Sequence, residues 1–194
     1  MPQDEHAPPQ GSEASAAGTM SKSRMLILCD FDGTVTERDV TDLVWDPWIP
    51  RAERERMVGQ VVQRNWTMYQ YIAHGYGHVR SAPDQILSEL DGRVAIRRGW
   101  QRFIACTSAA GANLHIVSNG LDFYIRQYVP ASIQVACFSA HFDGSYRVEL
   151  PAGCTLGDGE DFKVNRARKL IAEYGDRTVV YVGDGRADFE PALL

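Results

Sequence analysis

The sequence predicts an α/β fold, in which a mostly parallel sheet carries helices on both of its faces. Three short apolar segments predict buried strands at 25–28, 114–117 and 178–182. Segments with helical spacing separate these strands, and such alternation is typical of parallel sheets that are covered on both sides. One long helical segment, 37–95, follows the first strand directly. We therefore expect a small helical cap inserted after that strand.

Length and composition limit the protein class. The 194 residues suffice for one core with a modest insertion, and 44% hydrophobic and 23% charged residues are typical of a soluble globular chain. The net charge of −5 gives no electrostatic reason to expect nucleic-acid or anionic-membrane partners. Apolar runs stay shorter than the roughly 18 residues of a membrane helix. Four scattered cysteines form no Cys-x-x-Cys pair, which favours reduced thiols in a cytoplasmic protein.

The order of these segments predicts the domain boundaries. Residues 1–24 are rich in Pro, Gly, Ser and Ala and contain no apolar stretch of the kind found in secretion signals. This composition predicts that residues 1–24 form a disordered N-terminal tail. We assign 25–36 and 96–194 to the α/β core, and 37–95 to the helical cap.

Two helices are predicted within the cap. Positions at three- and four-residue steps predict one long helix over 54–72. A Ser-x-x-Asp capping pattern begins at Ser81, with Pro83 in the first turn, and predicts a helix that reaches about Leu90.

The core is expected to hold three further helices and a hairpin. The helices are predicted at 96–109, 121–129 and 161–174 from their apolar spacing and the Gly or Pro near their ends. Residues 135–150 predict a strand and hairpin, and the Asp-Gly pair at 143–144 favours a type I′ turn.

Polar residues stand where each predicted parallel strand ends. They are Asp30, Asp32, Ser118, Asn119, Asp184 and Asp188. Because the carboxyl ends of parallel strands meet at one edge of a sheet, these side chains are expected to converge there. Gly33 directly follows the first pair and permits a sharp turn or a close approach to a ligand.

The residue types at this edge favour metal-assisted phosphoryl transfer. Asp30, Asp32 and Asp184 form a set of oxygen donors suited to Mg²⁺. Ser118 and the N–H groups of the following helix can bind an anion. Lys163 begins a helix, where the helix dipole disfavours a cation, so a bound anion explains it better than helix stability does.

Each of these residues also has a structural explanation. The two aspartates at the first strand end are turn formers, and Ser118 taken alone is more often an N-cap. Lys163 taken alone is usually a solvated surface charge. Asp188 fits equally well as a cap of the final helix or as support for a metal. The conjunction of all these residues, in this order, favours the functional interpretation.

This order resembles the haloacid dehalogenase (HAD) superfamily of aspartate-based phosphatases, which have a Rossmann-like core. The motifs that carry the resemblance are Asp-Phe-Asp-Gly-Thr-Val-Thr at 30–36, Ile-Val-Ser-Asn-Gly at 116–120, Lys163, and Gly-Asp-Gly-Arg-Ala-Asp at 183–188. A helical insertion directly after the first motif is similar to subfamily IB. That subfamily contains phosphoserine phosphatases and methionine-salvage phosphatases that act on 2-hydroxy-3-keto-5-methylthiopentenyl-1-phosphate.

Three details bear on the substrate within that subfamily. Asp39, at a position where phosphoserine phosphatases have glutamate, and the run Ser-Asn-Gly-Leu-Asp-Phe-Tyr at 118–124 favour the methionine-salvage type. Some of those enzymes have a cysteine-rich stretch before the motif lysine, of which only Cys154 is present here. Both substrate types therefore stay open.

The resemblance implies roles for the polar residues. Asp30 is the nucleophile that forms an aspartyl-phosphate, and Asp32 is the general acid and base. Mg²⁺ is bound by Asp30, Asp184 and the backbone carbonyl of Asp32. The implied phosphate-binding residues are Ser118, Asn119 and Lys163. The implied supporting residues are Asp188, Gly33 and Thr34.

The last predicted strand raises a question of partners. Related proteins continue with another strand and helix after the final motif, so we expect 178–182 to be an exposed apolar edge. Either a partner or a homodimer mate covers it, or the sequence is a truncated product. The alternative function is then an inactive, truncated HAD-fold phosphate-binding or interaction protein. Phosphotransfer to an acceptor other than water and a receiver-type phospho-acceptor domain are further alternatives, the latter disfavoured by Asp32 and the inserted cap.

Overall fold

A computed structural model describes residues 25–194 and contains one five-stranded sheet with the strand order β4-β3-β2-β1-β5. The strands are β1 Met25–Cys29, β2 Asn113–Leu121, β3 Gln134–Phe142, β4 Tyr146–Glu149 and β5 Thr178–Val182. β4 pairs antiparallel with β3, and the other pairings are parallel. The predicted fold class, a mostly parallel α/β sheet, is confirmed.

Seven α-helices accompany the sheet in the described part of the chain. They are α1 Val40–Trp45, α2 Arg51–Val62, α3 Met68–Tyr76, α4 Pro83–Leu90, α5 Trp100–Ala109, α6 Asp122–Tyr128 and α7 Phe162–Tyr174. Two short 3₁₀ turns follow β5, at Arg186–Asp188 and Pro191–Leu193. The predicted tail at 1–24 lies outside the described residues.

The apolar strand β1 is buried on both faces, which explains why its sequence does not alternate with polar residues. Leu26 and Leu28 pack with Ala167 and Leu170 of α7 in a small cluster on one face. Ile27 and Cys29 belong to a larger cluster on the opposite face, which also includes apolar side chains of α1 to α4.

The two ends of the segment proposed as the cap are joined by backbone pairing. Thr36 and Ile96 form an isolated antiparallel bridge. The Glu37 N–H donates to the Ala95 carbonyl at 2.9 Å, and the Arg97 N–H donates to the Val35 carbonyl at 2.8 Å. α1 to α4 thus leave and re-enter the core at one place, beside the residues that follow β1.

The prediction of one long cap helix over 54–72 is wrong. α2 ends at Val62, and Arg64 then takes a φ of +59°, which reverses the chain. Thr67 begins α3 as its N-cap, in a capping box with Gln70. The apolar spacing was misleading in α2, because Val58 and Val62 are 45% and 52% exposed while Met57 is the residue that this helix buries.

Three smaller predictions also need correction. The N-cap of α4 is Ala82 instead of Ser81, and α5 begins at Trp100 instead of 96. The hairpin loop holds three residues, 143–145, between the paired Phe142 and Tyr146. Only Gly144 in that loop has a positive φ, of +96°. A type I′ turn requires two such residues, so the predicted turn type is wrong.

Within residues 25–194, β5 is an edge strand with apolar side chains exposed to solvent. Val179 and Val180 are 36% and 37% exposed, which confirms the expected apolar edge. In the same part of the chain, every helix is too short or too polar to cross a membrane.

Candidate active site

The candidate active site lies at the carboxyl edge of the sheet, where β1 ends. Cys29 pairs with Ile116 of β2 and with Val182 of β5, so the residues that follow these positions meet at one edge. Asp30 extends the pairing, because its N–H donates to the Val182 carbonyl at 2.8 Å. Gly33 then adopts a φ of +74°, which favours glycine, and turns the chain away from the sheet.

Asp30 is a buried carboxylate in contact with a lysine. Its Oδ2 lies 2.8 Å from Nζ of Lys163, and its Oδ1 accepts a hydrogen bond from the Phe31 N–H at 2.7 Å. Burial raises the pKa of Asp30 to about 7; Lys163 lowers this pKa and the charge of Asp188 raises it. A further cation beside Asp30 would hold the carboxylate fully ionised at neutral pH.

Asp32 is held by two uncharged donors. Its Oδ1 accepts from the Val40 N–H and its Oδ2 from the Tyr124 hydroxyl, each at 2.9 Å. Burial raises the pKa of Asp32 well above its usual value, and the charges of Asp39 and Asp30 add to this rise. Asp32 therefore keeps its proton to a higher pH than an exposed aspartate does.

Lys163 stands in the first turn of α7 and is 2% exposed. Its Nζ lies 2.8 Å from Asp30 and 2.7 Å from Asp188, so two carboxylates of the chain itself pair with this lysine, and the predicted bound anion stays a prediction. Burial alone would lower the pKa of Lys163, but these carboxylates outweigh burial and raise it. The carboxylate of the N-cap, Asp161, accepts hydrogen bonds from the first-turn N–H groups of Lys163 and Val164.

Three carboxylates converge beside this lysine. Oxygen atoms of Asp30, Asp184 and Asp188 lie within 4.8 Å of one another. The Tyr181 hydroxyl donates to Asp188 at 2.9 Å, as does the Gly185 N–H at 3.0 Å. The carboxylate of Asp32 lies outside this group, and the predicted role of its backbone carbonyl stays a prediction.

The donor set and its surroundings fit a hard divalent cation. Three carboxylates carry more negative charge than the single ammonium of Lys163 neutralises, and oxygen donors are the ligands that Mg²⁺ prefers. The Thr34 hydroxyl donates to Asp184 at 2.7 Å. A Cβ added at Gly33 would overlap the Asp184 carboxylate, so this glycine allows the loop and the carboxylate to lie side by side.

Ser118 and Asn119 lie within β2, which runs on to Leu121, instead of following the strand as predicted. Ser118 is 1% exposed, and its Oγ accepts a hydrogen bond from the Gly120 N–H at 3.0 Å. Asn119 is 7% exposed, and both polar atoms of its amide are buried without a partner among the described residues. Unpaired buried amides are costly, so Asn119 has unused capacity to bind a ligand.

The structure adds three residues that the sequence gave no reason to select. Tyr124 contacts Asp32, and Tyr181 contacts Asp188. Arg97 donates from Nε to the Thr34 carbonyl at 2.9 Å and from Nη2 to the Gly33 carbonyl at 2.6 Å, which fixes the loop after β1. Tyr124 ends the run 118–124 quoted above, but that run did not indicate its contact with Asp32. The roles of all three residues depend on contacts made across the fold.

The family follows from comparison with known sequences. The profile of the haloacid dehalogenase-like hydrolases matches residues 27–192, which is most of the chain and includes every residue of the candidate site. This chain belongs to that family. The resemblance predicted from the four motifs is confirmed.

Sequence relatives include two phosphatases of one named type. The chain is 30% identical to the 2-hydroxy-3-keto-5-methylthiopentenyl-1-phosphate phosphatase of Exiguobacterium sibiricum over 86% of this chain and 78% of that protein. It is 27% identical to the protein of the same name from Geobacillus thermodenitrificans, over 88% of this chain and 80% of that protein.

Solved structures support the fold. A substrate-bound phosphoserine phosphatase matches with a TM-score of 0.66 at 18% identity, over 88% of this chain and 82% of that one. A phosphoserine phosphohydrolase-like protein from Francisella tularensis matches with a TM-score of 0.65 at 18% identity, over 86% and 81%. At these identities the likeness shows the shared fold alone.

Proposed function

We propose that this protein is a Mg²⁺-dependent phosphomonoester hydrolase that acts on a small phosphorylated metabolite through an aspartyl-phosphate. The observation that carries the proposal is the contact of buried Asp30 with Lys163, beside the carboxylates of Asp184 and Asp188. The phosphatase names of the sequence relatives and the family match support the same reaction class.

In the first step, the Asp30 carboxylate attacks the phosphorus atom of the monoester. A bond forms between Asp30 and phosphorus while the bond from phosphorus to the alcohol oxygen breaks. Asp32 gives its proton to that oxygen, so the product leaves as a neutral alcohol. The raised pKa of Asp32 supports this role, because the acid must be protonated before the step.

In the second step, water hydrolyses the aspartyl-phosphate. Asp32, now ionised, takes a proton from the attacking water, and the bond between phosphorus and Asp30 breaks. Phosphate leaves, and both aspartates return to their starting states. The two steps together require Asp32 to lose and then regain a proton while its carboxyl group stays in place.

Asp30, Asp184 and the Asp32 carbonyl would hold Mg²⁺, with the carboxylate of Asp188 close by. When bound, the ion supplies positive charge to the transferring phosphoryl group, which is the main requirement of such a reaction. Lys163 contributes positive charge from the chain itself. Ser118 and the unpaired amide of Asn119 would bind the remaining phosphate oxygens.

The proposed substrate is a methylthiopentenyl phosphate or a phosphoserine-like ester. The first follows from the names of the sequence relatives. The proposed cap at 37–95 would exclude water and select the alcohol portion. We place the protein in the cytoplasm and propose that a second copy covers the apolar edge of β5, for which the exposed side chains of Val179 and Val180 are the support.

The test is phosphate release from a panel of small phosphomonoesters, with Mg²⁺ and with a chelator, for the intact chain and for Asp30→Asn. A matched control is Asp143→Asn, which makes the same change at an exposed hairpin residue. We expect turnover that requires the metal, survives in Asp143→Asn and is lost in Asp30→Asn. Absence of turnover by the folded wild-type chain would overturn the proposal and favour the phosphate-binding alternative.

A further inference from the structure

The hydroxyl of Tyr124 connects Asp32 with a second buried hydroxyl. It lies 2.9 Å from Oδ2 of Asp32 and 3.1 Å from Oγ1 of Thr41 in α1. Tyr124 is 0% exposed and Thr41 is 5% exposed, so these hydroxyls have little access to water. The three polar groups come from the loop after β1, from the proposed cap and from α6.

The close approach of these groups depends on a glycine at the end of β2. A Cβ added at Gly120 would overlap the Tyr124 hydroxyl and lie 2.6 Å from Oδ2 of Asp32. Tyr124 is also held by its ring, which is 6.2 Å from the ring of Phe31 and 5.5 Å from that of Phe123. The position of the hydroxyl is thus fixed by packing as well as by hydrogen bonds.

The donors around Asp32 fix the orientation of its carboxyl group. Oδ1 accepts from the Val40 N–H, and Oδ2 accepts from the Tyr124 hydroxyl. The Tyr124 hydroxyl lies within hydrogen-bonding distance of Thr41 as well, so this pair of hydroxyls limits the position that Oδ2 can take.

We propose that Tyr124, held in place by Thr41, is a positioning residue that fixes the orientation of the Asp32 carboxyl group toward the reacting oxygen. This inference rests on the proposed function, because it assigns a role beside the general acid and base. Tyr124 itself touches neither substrate nor metal in this scheme.

The experiment compares two substrates that need the proton to different degrees. Glycerol 2-phosphate releases an alkoxide unless the leaving oxygen is protonated, whereas p-nitrophenyl phosphate releases a stable anion. The value of kcat/KM is measured on both for wild type, Tyr124→Phe, Thr41→Val and Thr41→Ser. Tyr128→Phe is the control, since it removes a tyrosine hydroxyl from the same helix without contact to Asp32.

We expect Tyr124→Phe to lower kcat/KM for the alkyl ester by about 10- to 100-fold and to leave the aryl ester within about threefold. Thr41→Val should lower kcat/KM for the alkyl ester by a smaller factor. Thr41→Ser keeps the hydroxyl and should restore kcat/KM for that ester. Equal losses on both esters, or no loss on either, would overturn the positioning role while wild-type turnover leaves the phosphatase proposal intact. Absence of wild-type turnover would overturn both.

A different observation concerns two histidines in the proposed cap. His74 lies in α3 and His78 follows it by four residues, and their Nε2 atoms are 3.5 Å apart. Two Zn–N bonds of about 2.05 Å at a tetrahedral angle would place the nitrogens about 3.4 Å apart. The ring of Trp66, 4.8 Å from that of His74, restricts its orientation.

The pair opens into a cavity that also contains a carboxylate. The cavity has a volume of about 590 Å³, and its walls include Trp48, Trp66 and Glu53. Glu53 forms an ion pair with Arg56 in the same wall. We infer that His74 and His78 bind a borderline-soft divalent cation such as Zn²⁺, separately from the carboxylates near Asp30, with the other positions open to water. Imidazole nitrogen is a common ligand of Zn²⁺.

The experiment follows the histidine ring signals by NMR during a titration with ZnSO₄ in the presence of excess MgSO₄. The chains are the wild type, His78→Gln and His141→Gln, the last as a control at an exposed strand residue. We expect the His74 and His78 signals to move together, and His78→Gln to weaken zinc binding at His74 by more than about tenfold, because chelation is lost. Equal zinc affinity of His74 in wild type and His78→Gln would overturn the site.

Discussion

Asp30 and Asp32 are two residues apart, and their surroundings differ in kind. Asp30 meets the ammonium of Lys163 and lies beside two other carboxylates. Asp32 meets a backbone N–H and a tyrosine hydroxyl, neither of which is charged. Burial raises the pKa of both, but only Asp30 has a cation to oppose it. The proposed roles of Asp30 as nucleophile and Asp32 as acid depend on this difference in surroundings.

The strongest test of this contrast replaces each aspartate in turn by asparagine. Asp30→Asn should lower kcat by more than about 10⁴-fold on every ester, because the nucleophile is gone. Asp32→Asn should lower it by about 10²- to 10⁴-fold on alkyl esters and much less on p-nitrophenyl phosphate. Steady-state kinetics on both esters is the measurement. Identical losses for the two variants on both substrates would remove the distinction between the residues.

The ion pairs around Asp30 can be tested through the stability of the protein. Lys163→Met leaves Asp30 and Asp188 buried without their cation, and we expect it to lower the free energy of unfolding by about 3–5 kcal/mol. Urea unfolding without divalent cations measures this loss, and added Mg²⁺ should reduce it. Lys169→Met, an exposed lysine on the same helix, is the control. A loss below about 1 kcal/mol would show that the ion pairs contribute little.

The uncharged surroundings of Asp32 can be tested by adding a single methyl group. Gly120→Ala places a Cβ against Tyr124 and Asp32, and we expect it to lower the free energy of unfolding by about 1–3 kcal/mol through overpacking. Turnover of alkyl esters should fall as well. Gly59→Ala is a matched control, since its Cβ would meet nothing within 4 Å and a helical alanine is favoured over glycine. Thermal unfolding and kinetics of both variants decide the matter.

Sequence alone predicted the charged side of the site better than the uncharged side. Asp30, Asp184 and Lys163 stand at strand ends or at a helix start, and parallel topology then brings them together. Tyr124 had no such signal, because its role depends on how α6 packs against the loop after β1. The break in the cap helix at Arg64 was missed because apolar spacing says nothing of a single positive φ.

A buried histidine outside the candidate active site is a further titratable side chain whose hydrogen-bond partner is uncharged. His115 on β2 is 4% exposed, and its Nε2 lies 2.9 Å from the Tyr174 hydroxyl. Burial lowers the pKa of His115, Arg166 lowers it further, and Glu173 opposes them. The unfolded chain therefore binds a proton more readily than the folded chain, so stability should fall as the pH drops below about 6.5, the ordinary histidine pKa.

His115→Gln removes this contribution to acid sensitivity. We expect its free energy of unfolding to fall less steeply than that of the wild type as the pH decreases from about 7 through the ordinary pKa of histidine, whatever its value at pH 8. Urea unfolding at a series of pH values is the measurement, with His141→Gln on the exposed part of β3 as the control. Parallel stability curves for His115→Gln and the wild type would show that the proton-binding difference lies elsewhere. If the slopes differ as expected, a neutral hydroxyl partner alone does not hold a buried histidine in its charged form. The tyrosine partner of Asp32 implies the same behaviour for a buried carboxylate.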